Sequence, residues 1–161
     1  MMIQGHLFHQ DRKRTFRIVE PFGSTTDALI YFHGSQQSGS VGRSFTNRTF
    51  DPLPFMVVYP DGVDQHWNDA RLGLDENTRH LGIDDVGFFV KLATHLGNTY
   101  GIKRIFIVGY SNGGQMVLRL MHEVPKMLSG AATIASNMPV AENTLPQVKT
   151  FKTHPVSYLA M

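Results

Sequence analysis

Cysteine is absent from this 161-residue sequence. That excludes disulfides and thiolate metal sites, and it leaves the redox compartment unread. No apolar run approaches the ~20 residues a membrane-spanning helix requires, so no membrane partner is expected. Residues 1–14, MMIQGHLFHQDRKR, lack the apolar centre of a secretory leader, which points to a cytoplasmic location. Long basic runs are missing and the net charge is only +2, so nucleic acid is not an expected partner. Tryptophan occurs once, at Trp67, and no aspartate follows Ser111.

What is present is ordinary for a folded domain. Apolar residues make up 42% and charged residues 17%, enough for one core. Residues 1–161 read as a single domain, with no repeat or linker. The eight methionines read as core fillers. His6 and His9, three apart on a predicted strand, face opposite ways and make poor joint metal ligands.

The strongest local pattern is residues 103–124, KRIFIVGYSNGGQMVLRLMHEV. The bulky run 105–108 suits a strand covered on both faces. Gly109-Tyr110-Ser111-Asn112-Gly113 follows, a G-x-S-x-G match. Val117, Leu120, Met121 and Val124 then mark one helix face. Strand, tight turn with a central serine, then helix is the layout of a nucleophile elbow. Such a turn strains the serine backbone and thrusts Oγ above the sheet. The helix start offers unpaired N–H groups, and that of Asn112 is placed to bind an oxyanion. A bland Gly-rich turn with a surface serine is the competing reading. A phosphate cradle fails for lack of G-x-G-x-x-G or G-K-[ST].

Elsewhere, residues 2–20 predict an edge hairpin around the polar turn 10–13. Residues 28–32 predict a buried strand that runs into His33-Gly34-Ser35-Gln36-Gln37-Ser38-Gly39. That loop is where a second oxyanion donor belongs, and the backbone N–H of Ser35 is the candidate. A helical turn is expected near 44–50 and a strand at 53–59, closed by the Pro60-Asp61-Gly62 turn. Asp61 and Asp64 read as turn residues. The polar stretch 63–81 sits where binding loops form. Trp67 in it either lines a substrate pocket or pins the loop. Candidate pocket residues are His33, Gln36, Trp67 and Tyr110, with His33 more readily read as a structural brace. Asp84 or Asp85 caps a helix running to residue 100, with Val86, Phe89, Val90 and Ala93 buried and Gly101 ending it. Strands are expected at 130–136 and 156–161, joined by a connection over 137–153. The sum is an α/β fold, a mostly parallel sheet flanked by helices.

An ordered set of short segments now stands out: Phe32-His33-Gly34 with Gln37-Ser38-Gly39, Val57-Val58-Tyr59-Pro60-Asp61-Gly62 with Trp67-Asn68, Asp84-Asp85-Val86-Gly87-Phe88, and Val108 through Gly114. In these the chain resembles the α/β-hydrolase esterases grouped with polyhydroxybutyrate depolymerases and feruloyl esterases. The resemblance implies hydrolysis of a small or polymeric carboxylic ester, with Ser111 as nucleophile and the Ser35 and Asn112 amides as oxyanion hole. It implies no metal and no organic cofactor.

The chain departs from that pattern after Ser111. The fold's triad runs Ser, then Asp or Glu, then His. His122 lies eleven residues along the helix, about 16 Å away, out of reach of Oγ. His154 is expected at the opposite sheet edge. Glu123 and Glu142 are no better placed. The expected acid and histidine would follow residue 161, so the chain is expected to lack the fold's C-terminal strand and helix and to associate through an unpaired last strand. Two other readings stay open: an inactive hydrolase-fold module that binds or associates, and a site whose base is His33 or His66 with Asp61.

Overall fold

The computed structural model describes residues 1–149 and 154–161. The last four residues of the expected 137–153 connection lie outside the described residues. In chain order the elements are β1 (Met2–His9), β2 (Arg12–Val19), β3 (Asp27–Phe32), α1 (Gly39–Phe45), β4 (Met56–Pro60), α2 (Asn77–His80), α3 (Asp85–Tyr100), β5 (Arg104–Tyr110), α4 (Asn112–Glu123), β6 (Gly130–Ile134), α5 (Pro146–Lys149) and β7 (Tyr158–Ala160).

The seven strands form one sheet in the order β1-β2-β4-β3-β5-β6-β7. β1 and β2 are the expected hairpin, and β2 also runs antiparallel to β4. From β4 onward every pairing is parallel. Gln10 and Asp11 turn the hairpin with φ of 49° and 56°, the left-handed pair that matches strand twist. In β2 the side chains of Arg14, Phe16 and Ile18 are buried in alternation, so one face meets the core. β4 is buried along its whole length, as its unbroken apolar run predicts.

Two layers cover the sheet. Phe88, Phe89, Leu92 and Leu96 of α3 and Met116, Val117 and Leu120 of α4 pack on Ile30, Phe32, Val58 and Ile107. On the other face Leu29, Tyr31, Val57, Tyr59 and Val108 meet Phe50 and Phe55. The buried face of α3 is wider than the expected stripe, taking in Phe88, Leu92 and Leu96, while Val90 is only half-buried; the helix packs on β1 and α4. Asp84 is its cap, accepting from the Gly87 N–H at 2.8 Å. Asp85 is not a cap. It is buried against Arg14 at 2.6 Å and accepts the Asn68 N–H at 2.7 Å. Gly101, at φ 71°, ends the helix as expected.

The helical turn expected at 44–50 forms earlier, as α1. Ser38 caps it by accepting the Val41 N–H at 3.3 Å. Residues 46–55 then run as turns, tied by Asp51 to Arg43 and to the Tyr59 hydroxyl. β7 pairs with β6 on its inner side, with the Met161 N–H donating to Thr133 O at 2.9 Å. Its outer side is unpaired among the described residues, and Leu159 is 56% exposed there.

Candidate active site

β5 delivers the chain to Ser111, where the backbone turns sharply at φ 51°, ψ −116° before α4 begins. Non-glycine residues pay about 1–3 kcal/mol for such a conformation. The surroundings enforce it. The Ser111 N–H donates to Ile134 O at 3.0 Å. Its carbonyl accepts from the Ser136 hydroxyl at 2.6 Å and from the Gln115 N–H at 3.0 Å. A residue at a helix start would normally cap it with its side chain, but Ser111 makes no such bond. Its Oγ has no hydrogen-bond partner among the described residues, and the residue is half-buried.

With the hydroxyl removed, the strain becomes measurable. Ser111→Gly is expected to be more stable than Ser111→Ala by about 1 kcal/mol, the reverse of the usual order. Urea denaturation of the two variants checks it. Equal stabilities, or a more stable alanine variant, would contradict the strained turn.

The elbow sits directly against the end of β3. A methyl group built on Gly113 would overlap the carbonyl oxygens of Phe32 and His33. One built on Gly34 would lie 2.8 Å from the Tyr110 ring. The loop after β3 is thus packed against the serine turn. Within it, the Gly34 N–H donates to Gln37 Oε1 at 3.1 Å and the Gln36 N–H to Gln65 O at 3.0 Å. The Ser35 N–H between them, and the Asn112 N–H at the start of α4, have no partner among the described residues. Two spare amides therefore belong to two touching loops, one of them beside the serine.

The four candidate pocket residues separate. Gln36 is exposed and Tyr110 half-buried, stacked near Phe45 at 4.8 Å between ring centroids. His33 and Trp67 are fully buried, so neither lines an open pocket. Trp67 is the pin of its two readings: its indole N–H donates to His33 O at 3.0 Å. His33 is the brace. Its Nε2 accepts the Gly62 N–H at 2.9 Å, so Nδ1 carries the proton and donates to Gly34 O at 2.8 Å. Both ring nitrogens are spent, which removes His33 as a base for Ser111. In His66, Nδ1 lies 3.0 Å from Asp64 O and Nε2 3.3 Å from the Glu76 carboxylate, so both nitrogens face acceptors other than Ser111. Asp61 binds Thr15, Arg17 and the Gly39 N–H, tying β2 to the start of α1. Of the reading that drew a base from these three residues, the His33 half is therefore corrected.

Burial pushes the His33 pKa down to about 4, only partly opposed by its bond to Gly34 and by the charge of Asp61. The unfolded chain, with His near its ordinary 6.5, then binds more protons than the folded one between those values. Stability contributed by neutral His33 is complete above about pH 6.5 and falls as pH drops toward 4, by roughly 3 kcal/mol in all. Stability curves from pH 7 to pH 4 should be flatter for His33→Gln than for the wild type. An equal slope would contradict the sealed, neutral imidazole.

The later histidines stay apart from the serine. His122 lies on α4 with Nδ1 at 2.8 Å from Leu118 O. His154 is exposed before the start of β7, whereas Ser111 follows the end of β5, and the intervening strands are parallel. Among the described residues no three His, Asp or Glu side chains gather as metal ligands, and no helix is long and apolar enough to cross a membrane.

Sequence reasoning missed one set of residues. Asn112 was singled out for its amide, but its carboxamide is buried. It accepts the Trp67 N–H at 2.8 Å and donates to Trp67 O at 3.0 Å and to Asp69 Oδ2 at 2.6 Å. Arg71 neutralises Asp69. The run Trp67-Asn68-Asp69 in a polar loop was the available signal, but its partner lies 43 residues away.

No family model and no curated protein matches the chain. Solved structures do. A cold-adapted esterase from an Arctic intertidal metagenomic library superposes with a TM-score of 0.72 at 19% identity, covering 99% of this chain and 71% of that one. An acetyl xylan esterase from Aspergillus awamori gives 0.64 at 16%, covering 91% and 57%. A protein named sOPH gives 0.66 at 20%, covering 81% and 50%. The chain spans about half the length of the first structures it matches. These likenesses, with the sheet order and its flanking helices, define the class: the chain has the α/β-hydrolase fold.

Proposed function

We propose that the chain hydrolyses carboxylic esters through Ser111. The observation that carries the reading is the serine at φ 51°, following a parallel strand and beginning a helix without capping it. In this scheme Oγ attacks the ester carbonyl carbon. The resulting oxyanion takes hydrogen bonds from the Ser35 and Asn112 amides, at the positive end of α4. The alcohol leaves, an acyl-serine remains, and water releases the acid. With both His33 nitrogens held elsewhere, the serine proton passes to solvent or to a base outside the described residues. No metal or organic cofactor enters. The resemblance to polyhydroxybutyrate depolymerases and feruloyl esterases directs the substrate search to small and polymeric esters. The esterases among the structural neighbours support the same class. The test is hydrolysis of p-nitrophenyl esters of graded acyl length by the wild type and by Ser111→Ala.

A second reading rests on the sheet edge. No described histidine or carboxylate serves Ser111, and β7 leaves its outer side open beside a groove of about 420 Å³ that includes Phe55, Phe106, Ala132, Tyr158 and Leu159. An inactive module that associates through this edge fits those features. An antiparallel pairing of β7 with β7 of a second copy closes on a two-fold axis. Light scattering is then expected to give a dimer mass at micromolar concentration. A monodisperse monomer contradicts it.

A further inference from the structure

We propose that Asp69 is a positioning residue that holds the two oxyanion amides in register, acting through Asn112 and the loop 62–70. The inference rests on the reading of Ser111 as nucleophile.

That loop grips both halves of the site. Toward α4, the Asn112 carboxamide makes a two-point pairing with the Trp67 peptide, and its remaining N–H reaches Asp69 Oδ2. Three bonds in three directions leave the side chain no rotation, and the amide of the same residue is the proposed donor. Toward the loop after β3 there are three further links. The Trp67 indole N–H holds His33 O, the Gly62 N–H holds His33 Nε2, and Gln65 O holds the Gln36 N–H next to Ser35. Neither amide-bearing loop shifts without dragging loop 62–70, so that loop sets their separation.

Asp69 is the keystone because of its burial. It is 0% exposed, yet its carboxylate accepts from Asn112, from the Arg71 N–H and from the Arg71 guanidinium. A bare buried carboxylate is strongly destabilising and would oppose an oxyanion nearby. The paired guanidinium removes both penalties while leaving one oxygen lone pair for Asn112. Helix formation alone asks for no carboxamide at position 112. An apolar residue there would strand the Trp67 N–H and C=O in the interior.

The test uses a fluorophosphonate probe on the full chain, with the rate and the extent of Ser111 labelling read separately. Asp69→Asn keeps the volume but turns one acceptor into a donor. The labelling rate at saturating probe is expected to fall about 10- to 100-fold, a part of what deleting a whole oxyanion donor costs. The labelled fraction should stay unchanged. A smaller labelled fraction at an unchanged rate would mean a merely structural role and overturns the proposal. Asn112→Ala cuts the same link from the other side. It should lower the rate similarly, and Asp69→Asn should add nothing in its background. Independent additive losses would also overturn it.

Hydrogen exchange gives a second readout that needs no reactivity. Asp69→Asn should quicken exchange in peptides containing Ser35 and Asn112 together. A change confined to the Asn112 peptide refutes the coupling. A wild type that fails to label, with coupled exchange intact, refutes the nucleophile reading and leaves the lock standing.

Discussion

Gly113→Ala is expected to lose about 3–5 kcal/mol of stability, lowering Tm by about 10 °C or more. The alanine methyl would stand 2.5 Å from His33 O and still closer to Phe32 O. Both are main-chain atoms of β3 and the loop after it, so no flexible side chain is available to yield. Relief requires either α4 to lift off the sheet or the loop after β3 to shift. α4 is held by Met116, Val117 and Leu120 in the main core, and the loop by Trp67 and Gly62. Thermal unfolding of the purified variant measures the loss. A Tm within about 2 °C of the wild type would show that the serine turn is not jammed against β3.

Ser111→Ala is expected to lower kcat/KM toward p-nitrophenyl acetate at least about 100-fold. Removing the serine from a complete triad costs about 10⁶ in kcat. Triad members act as a unit, so that figure does not divide into a serine share and a base share. The expected fall is set far below it because no described histidine serves Ser111. Because Oγ has no hydrogen-bond partner among the described residues, the fold loses nothing with it, and Tm should hold within about 2 °C. A variant that folds and hydrolyses the ester at the wild-type rate would remove Ser111 from the chemistry.

The elbow was legible because everything that specifies it is local. The bulky 105–108 run, the paired glycines and the 3.6-residue spacing after them lie within about 20 residues. The hairpin was legible for the same reason, with its turn falling inside the expected 10–13. α1 was not. Its GSVGRSF sequence has neither apolar period nor strong propensity, and the Ser38 cap is one of several serines in the stretch. Trp67 looked equally fit for a pocket or a pin, since the choice depends on whether the loop folds inward. The Asp85–Arg14 and Asp69–Asn112 pairs join residues 71 and 43 positions apart, and nothing short-range announces them. The second of these pairs ties the readable turn, at the start of α4, to the 62–70 loop.

The most direct measurement is mass mapping of the wild-type chain after exposure to a fluorophosphonate probe. A hydroxyl presented by a strained turn, with the spare Asn112 amide next to it, should carry the single adduct, on the peptide containing Ser111. An unmodified chain, or an adduct spread over other serines such as Ser35 and Ser38, would contradict the account.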